Sequence, residues 1–148
     1  MNEATTQVLL ADDDKDDRDD FIEAFNSLGM KVEVQAVKNG VELMEYLNKT
    51  FTKIPHLVFL DLNMPKKSGL ECLIEIRKID RLKNLTIVMY STSSSEKDME
   101  DAFANGANIY IKKPAHLTVL KKLLAQVLTI NWQYHTSGLN RDNFLMQL

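Results

Sequence analysis

The sequence predicts an α/β fold, a doubly wound parallel sheet with helices on both faces, and three observations carry that expectation. Short apolar segments alternate five times with stretches of helical periodicity along the 148 residues. Two of the segments, Val8-Leu9-Leu10-Ala11 and Leu57-Val58-Phe59-Leu60, are apolar at every position, as strands buried on both sides are. The length suits one domain, and at 45% hydrophobic residues the chain has enough apolar surface for a single core.

Each element has its own signal. After the first apolar strand, Asp16 to Leu28 places Phe21, Ile22, Phe25 and Leu28 on one helical face, and Gly29 ends the helix. Lys31 to Val37 alternates Val32, Val34 and Ala36 with polar residues, the pattern of a strand with one exposed face. Asn39-Gly40 opens a second helix with Val41, Met44 and Leu47 at helical spacing. Beyond the Leu57–Leu60 strand, Met64-Pro65 and Ser68-Gly69 precede a helix bearing Leu70, Leu73, Ile74 and Ile76. Thr86 to Tyr90 is the fourth strand. Ser93 and Glu96 have capping-box spacing for a helix from Ser94 to Asn105, closed by Gly106. Ile109-Tyr110-Ile111 is the fifth strand, and a last helix from Leu117 to Thr129 carries Leu120, Leu123, Leu124 and Val127. Right-handed crossovers between such strands return the chain in the same direction each time, so the sheet is parallel. The pattern covers residues 7–130. Residues 1–6 read as an N-terminal tail, and residues 131–148 as a C-terminal extension with Trp132, Tyr134, Phe144, Leu145 and Met146.

Composition narrows the function. A net charge of −3 and a pI near 5.6 leave no basic stripe for nucleic acid. No apolar run approaches the ~20 residues that span a bilayer, and Met1 to Gln7 is too polar for a signal peptide, so no membrane insertion is expected. The single cysteine, Cys72, rules out an internal disulfide and suits a reducing cytoplasm. The acidic charge is concentrated: seven of the nine positions from Asp12 to Asp20 are Asp.

In a doubly wound sheet, ligands bind beyond the carboxyl ends of the strands, where the winding reverses. The first strand delivers Asp12-Asp13 there, the third Asp61, the fourth Ser91-Thr92 and the fifth Lys113. Carboxylates held together repel, which raises a pKa unless a cation neutralises them. A hard divalent ion such as Mg²⁺ answers that need with oxygen ligands. With the ion bound, a carboxylate can attack phosphorus and form an aspartyl phosphate, while a hydroxyl and an ammonium steady the phosphoryl oxygens. No histidine is needed as a base, because Asp61 is ionised already.

These residues resemble the receiver domain of two-component response regulators. The matching stretches are Leu9-Leu10-Ala11-Asp12-Asp13, Val58 to Pro65 with Gly69 four residues on, Val88-Met89-Tyr90-Ser91-Thr92, and Tyr110-Ile111-Lys112-Lys113-Pro114. The Leu60 to Gly69 stretch, the long loop before the fourth strand and the aromatic-bearing tail look more particularly like the phytochrome-associated single-domain regulators. The resemblance implies a flavodoxin-like (βα)5 fold with a five-stranded sheet in the order 2-1-3-4-5. It implies Asp61 as phosphoacceptor and Mg²⁺ bound by Asp13, Asp61 and the backbone carbonyl of Asn63, with Asp12 acting through a metal-bound water. Ser91 and Lys113 would contact the phosphoryl group, and a cis Lys113–Pro114 peptide, as is typical of the family, would aim the lysine. Ser91 and Tyr110 would form the switch, and Asn63 and Ser93 would tune the dephosphorylation rate. The donor would be a sensor histidine kinase or a phosphotransfer protein. Output would run through protein contacts or a homodimer, with Trp132 and Tyr134 as candidate contacts. Such a domain is no enzyme beyond its own phosphorylation and dephosphorylation.

Blander readings stand beside these. An isolated Lys113 would be a solvated lysine, Tyr110 a half-buried strand residue and Ser91 loop filler; their place after strands sets them apart. Asp14, Asp16, Asp17, Asp19 and Asp20 read mainly as a solvated helix start, where carboxylates meet the positive end of the dipole. His56, His116 and His135 lack metal spacing, and Cys72 reads as packing. A haloacid-dehalogenase-like enzyme would want a second Asp where Asn63 stands. Asp12, Asp14, Asp16 and Glu23 match EF-hand positions 1, 3, 5 and 12, but Asp17 replaces the required glycine at position 6. The remaining alternative is a receiver-like scaffold that binds partners independently of phosphorylation.

Overall fold

The computed structural model describes residues 5–49, 53–130 and 145–146. Its elements run β1 (Thr6–Ala11), α1 (Lys15–Asn26), β2 (Val32–Val37), α2 (Gly40–Lys49), β3 (Leu57–Leu60), α3 (Gly69–Lys78), β4 (Thr86–Ser91), α4 (Glu96–Ala104), β5 (Ile109–Lys112), α5 (Leu117–Thr129) and a two-residue β6 (Leu145–Met146). Every strand pairing is parallel, and the sheet order is β2-β1-β3-β4-β5-β6. The expected flavodoxin-like order 2-1-3-4-5 is therefore present, and β6 pairs along the outer edge of β5, which the sequence pattern did not foretell. Two residues in an irregular apolar tail carry no strand period. Trp132, Tyr134 and His135 lie outside the described residues.

The buried strands divide their side chains between two cores, because successive residues point to opposite faces. Leu9, Ala11, Val58, Leu60 and Met89 pack with Leu43, Met44, Leu47, Cys72, Leu73 and Ile76 from α2 and α3. Val8, Leu10, Phe59, Val88 and Tyr90 pack with Phe21 and Phe25 of α1 and the apolar face of α5. The rings of Phe21 and Phe59 meet edge to face, with centroids 4.8 Å apart. Burial on both sheet faces is what leaves only the strand ends for polar chemistry.

Local signals differ from the sequence reading at two places, the α4 cap and the Lys113–Pro114 peptide. Ser93 does not cap α4: Ser95 does, its side chain accepting from the Asp98 amide, while Ser93 Oγ donates to the Asp98 carboxylate at 2.6 Å. The full capping box lies instead at Ser68 and Glu71, where α3 begins. No cis peptide occurs among the described residues, so Lys113–Pro114 is trans, contrary to the resemblance. The Lys113 amide is fixed by the Ser91 carbonyl at 2.7 Å, and its ammonium reaches the sheet rim without the cis bond. The EF-hand match does not fold as a loop, since Asp16 and Glu23 sit within α1 and Asp14 caps it.

Two glycines show different backbone requirements. Gly29 takes φ +67°, and a Cβ there would meet open space. At Gly69 a Cβ would stand 2.1 Å from the Asp61 carbonyl oxygen, so the start of α3 rests directly on the end of β3. Gly29→Ala is expected to cost about 1 kcal/mol of stability, from the left-handed backbone alone. Gly69→Ala is expected to cost about 3 kcal/mol. Urea unfolding of both variants measures the difference; equal losses would contradict the close packing of Gly69 on Asp61.

Candidate functional site

The parallel ladder continues past the strand ends and thereby sets the site. The Asp12 amide donates to the Val37 carbonyl at 3.1 Å, and the Asp61 amide donates to the Ala11 carbonyl at 3.0 Å. Asp12 and Asp61 thus leave the sheet side by side at the point where the winding reverses. Carboxylate oxygens of Asp12, Asp13 and Asp61 all lie within 4.8 Å of one another, with Asp13 exposed and the other two buried. Among the described residues no other cluster of His, Cys, Asp or Glu has this form. Three converging carboxylates, one of them open to solvent, fit a hard divalent cation with oxygen ligands.

Local turns hold these carboxylates in place. Asp12 Oδ1 accepts from the Asp14 amide at 3.0 Å, Asp14 Oδ1 accepts from the Asp17 amide at 3.0 Å, and Arg18 donates to the Asp12 carbonyl at 2.9 Å. The acidic run is therefore a chain of turn and cap bonds that ties the start of α1 to the end of β1. At Asp61, Oδ1 accepts a long 3.4 Å bond from the Asn63 amide.

The ammonium of Lys113 enters the same cluster from β5. Its Nζ stands 2.7 Å from Asp12 Oδ2, 2.9 Å from Asp17 Oδ2 and 3.4 Å from Asp61 Oδ2. The contact with Asp12 is ionic, too far off axis for a hydrogen bond, whereas Asp17 and Asp61 accept in hydrogen-bond geometry. Burial raises the Asp61 carboxyl to about 6, against the pull of Lys113 and with the repulsion of Asp12 added. Burial opposes the charge on Lys113, yet the close carboxylates of Asp12 and Asp17 and the charge of Asp61 hold its pKa above the ordinary lysine value.

The other expected residues form a second group beside the first. Ser91 is fully buried at the end of β4, and its Oγ accepts from the Ser93 amide at 3.1 Å. Tyr110 is fully buried too, so the half-exposed strand position is excluded; its hydroxyl donates to the Ser93 carbonyl at 2.8 Å. Burial pushes the Tyr110 phenol up, and hydrogen bonds with Ser91 and Ser93 moderate the shift. Ser93 is thus engaged through its amide, carbonyl and hydroxyl, the last turned to Asp98. His56 takes a structural role, Nδ1 accepting from the Gln7 amide at 2.9 Å. Burial raises the Cys72 thiol to about 11, which suits packing rather than chemistry.

Sequence reasoning missed Asp17 and Asp98. Asp17 lay in an acidic run that read as solvated, and the only signal available was its helical position one turn beyond the site. Asp98 was hidden by the expected Ser93–Glu96 cap.

Comparison with known proteins places this geometry. Residues 8–125 match the response regulator receiver domain. The chain is 31% identical to the response regulator Rcp1 of Synechocystis sp. over 121 residues, covering 79% of this chain and 82% of Rcp1. The crystal structure of the phosphorylated cyanobacterial phytochrome response regulator RcpA superposes with a TM-score of 0.78 at 32% identity, covering 93% of this chain and 98% of RcpA. The Mn²⁺-bound form of Rcp1 superposes at 0.76, with 29% identity and coverage of 84% and 92%. The likeness to phytochrome response regulators implied by the Leu60 to Gly69 stretch is thus present in sequence and in structure. No helix among the described residues is long and apolar enough to cross a membrane. A parallel five-stranded core with its acids at the reversal of winding, matched along most of its length, establishes that the chain belongs to the response regulator receiver family of two-component signalling.

Proposed function

We propose that this receiver accepts a phosphoryl group on Asp61 from a histidine kinase or phosphotransfer protein, in a Mg²⁺-dependent reaction, and signals through protein contacts. One observation carries the reading: the carboxylates of Asp12, Asp13 and Asp61 and the ammonium of Lys113 converge on one rim. In the reaction an Asp61 carboxylate oxygen forms a bond to phosphorus as the phosphorus–nitrogen bond of phosphohistidine breaks. The departing imidazole nitrogen keeps the electron pair, and the product is an acyl phosphate.

Charge balance supports the cation. Asp12, Asp17 and Asp61 share a single lysine and Asp13 adds a further carboxylate beside them, so a divalent ion removes most of the excess that would otherwise oppose an incoming phosphoryl group. Asp13 and Asp61 would hold Mg²⁺ with the Asn63 backbone carbonyl, and Asp12 would act through a bound water. When bound, the ion neutralises charge on the phosphoryl oxygens and keeps Asp61 ionised. Lys113 supplies a second positive charge, and Ser91 a hydroxyl one strand away. In the proposed switch the Ser91 hydroxyl turns to the phosphoryl group and the Tyr110 ring, buried beside it, packs inward behind it, so phosphorylation acts by stabilising that state. Asn63 and Ser93 flank the site and set its hydrolysis rate. The domain works as a cytoplasmic signalling switch rather than an enzyme with turnover on other substrates. Trp132 and Tyr134 are the proposed contacts of a homodimer.

Incubation with Mg²⁺ and a small phosphodonor should give one shifted species on a phosphate-affinity gel for the wild type and none for Asp61→Ala. Equal labelling of both would overturn the acceptor assignment.

The metal-free protein has a pH signature as well. The folded state holds Asp61 at about 6, above its ordinary 3.8, so it binds more protons than the unfolded chain between those values. That contribution to stability is complete below pH ~4 and lost as pH rises through ~6. Asp61→Asn should therefore be more stable than wild type at pH 7 by about 2–3 kcal/mol. The gap should narrow towards pH 4.5, and urea unfolding in chelator at the two pH values measures it. A gap that widens on acidification would contradict the buried, charge-crowded setting of Asp61.

A further inference from the structure

We propose that Asp17 is a positioning residue for phosphorylation: its carboxylate holds the Lys113 ammonium so that one donor faces the phosphoryl group on Asp61. The inference rests on Asp61 being the acceptor and adds a residue outside the acidic pair, the acceptor, the hydroxyl and the lysine.

The geometry of Lys113 carries it. The lysine Nζ has three donors and stands among three carboxylates. Only two of these accept in hydrogen-bond geometry, and Asp17, at 2.9 Å, is the shorter; Asp61 lies at 3.4 Å. Asp12, though nearer, makes an off-axis ionic contact that attracts the ammonium without orienting it. Asp17 is thus the strongest directional restraint on a side chain that is otherwise a long, flexible stem. The ammonium lies over the Tyr90 ring, with Nζ 5.2 Å from the ring centroid, and the Lys113 side chain is 9% exposed.

Asp17 is itself fixed from behind. Its amide donates to the Asp14 carboxylate, and the Asp14 amide donates to the Asp12 carboxylate. Two successive turn bonds connect the metal-facing Asp12 to the helix turn that presents Asp17. The carboxylate thereby reaches a lysine 96 residues away in sequence. The Asp17 side chain is 37% exposed, so its charge is screened by solvent while its directional bond remains. Orientation, more than charge, is therefore what Asp17 supplies. Asparagine at this position retains an acceptor oxygen and alanine does not.

The test uses the full chain with saturating Mg²⁺, comparing wild type, Asp17→Ala, Asp17→Asn, Lys113→Ala and the Asp17→Ala/Lys113→Ala double variant. Phosphorylation by acetyl phosphate and the affinity for beryllofluoride, by calorimetry, are read for each. Asp17→Ala should slow phosphorylation and weaken beryllofluoride binding by about threefold to tenfold. Asp17→Asn should stay within about twofold of wild type, and Asp17→Ala should add nothing in the Lys113→Ala background. In metal-free protein, the Lys113 ammonium resonance in ¹H–¹⁵N spectra should be sharp in wild type and Asp17→Asn and lost in Asp17→Ala. Three results would overturn the proposal: an asparagine variant as impaired as the alanine one, a faster alanine variant, or an equal loss without Lys113. Should Asp17→Ala fail to fold, the asparagine variant and its ammonium resonance decide alone. Failure of the site reading itself looks different, because Lys113→Ala and Asp61→Ala would then match wild type in labelling.

Discussion

The structure turns on one electrostatic constraint: several carboxylates, two of them buried, share the rim of a parallel sheet with one ammonium. Like charges in such a setting are unfavourable unless paired. Lys113 supplies the pairing, meeting Asp12, Asp17 and Asp61 at 2.7, 2.9 and 3.4 Å. Burial still holds the Asp61 carboxyl up at about 6, against the pull of that ammonium. A buried carboxylate beside two others is a setting that, on the proposed reading, a divalent ion and a phosphoryl group complete. A rim neutralised by a second lysine would have less attraction for a metal.

The fold maintains that crowding by making the rim rigid. Leu10, Phe59 and Val88 lie in one core while Leu9, Leu60 and Met89 lie in the other, so a one-residue slip of a strand would exchange both faces at once. Register is therefore strongly specified, and the residue after each strand has a fixed place. Gly69 adds a steric element, since α3 begins against the carbonyl of Asp61 itself.

A second network links the rim to the helical surface. Ser91 accepts from Ser93, Tyr110 donates to Ser93, and Ser93 donates to Asp98 at the start of α4. A change in the direction of the Ser91 hydroxyl thus has a short path through the β4–α4 connection to the outside of the domain. The described C-terminal residues, Leu145–Met146, pair with β5 at the same side of the sheet. The sheet edge nearest this network is therefore covered by part of the chain itself.

The sequence by itself determined the order of elements and the residues at the rim. Both are local properties: an apolar run encodes a strand, a 3–4 spacing encodes a helix, and the residue after a strand is known once the strand is. Asp12, Asp13, Asp61, Ser91 and Lys113 were legible for that reason, as were the stops at Gly29 and Gly106, which take φ +67° and +96°. Tertiary structure alone decided which of the many aspartates meets the lysine. Asp16, Asp17, Asp19 and Asp20 are alike in sequence, and only the angle at which α1 leaves β1 turns Asp17 towards Lys113. It also decided that Ser95 rather than Ser93 caps α4, because Ser93 is drawn to Tyr110 and Asp98, and that two tail residues join the sheet. Local pattern fixes what lies at the end of each element; contacts between distant elements choose among chemically equal candidates.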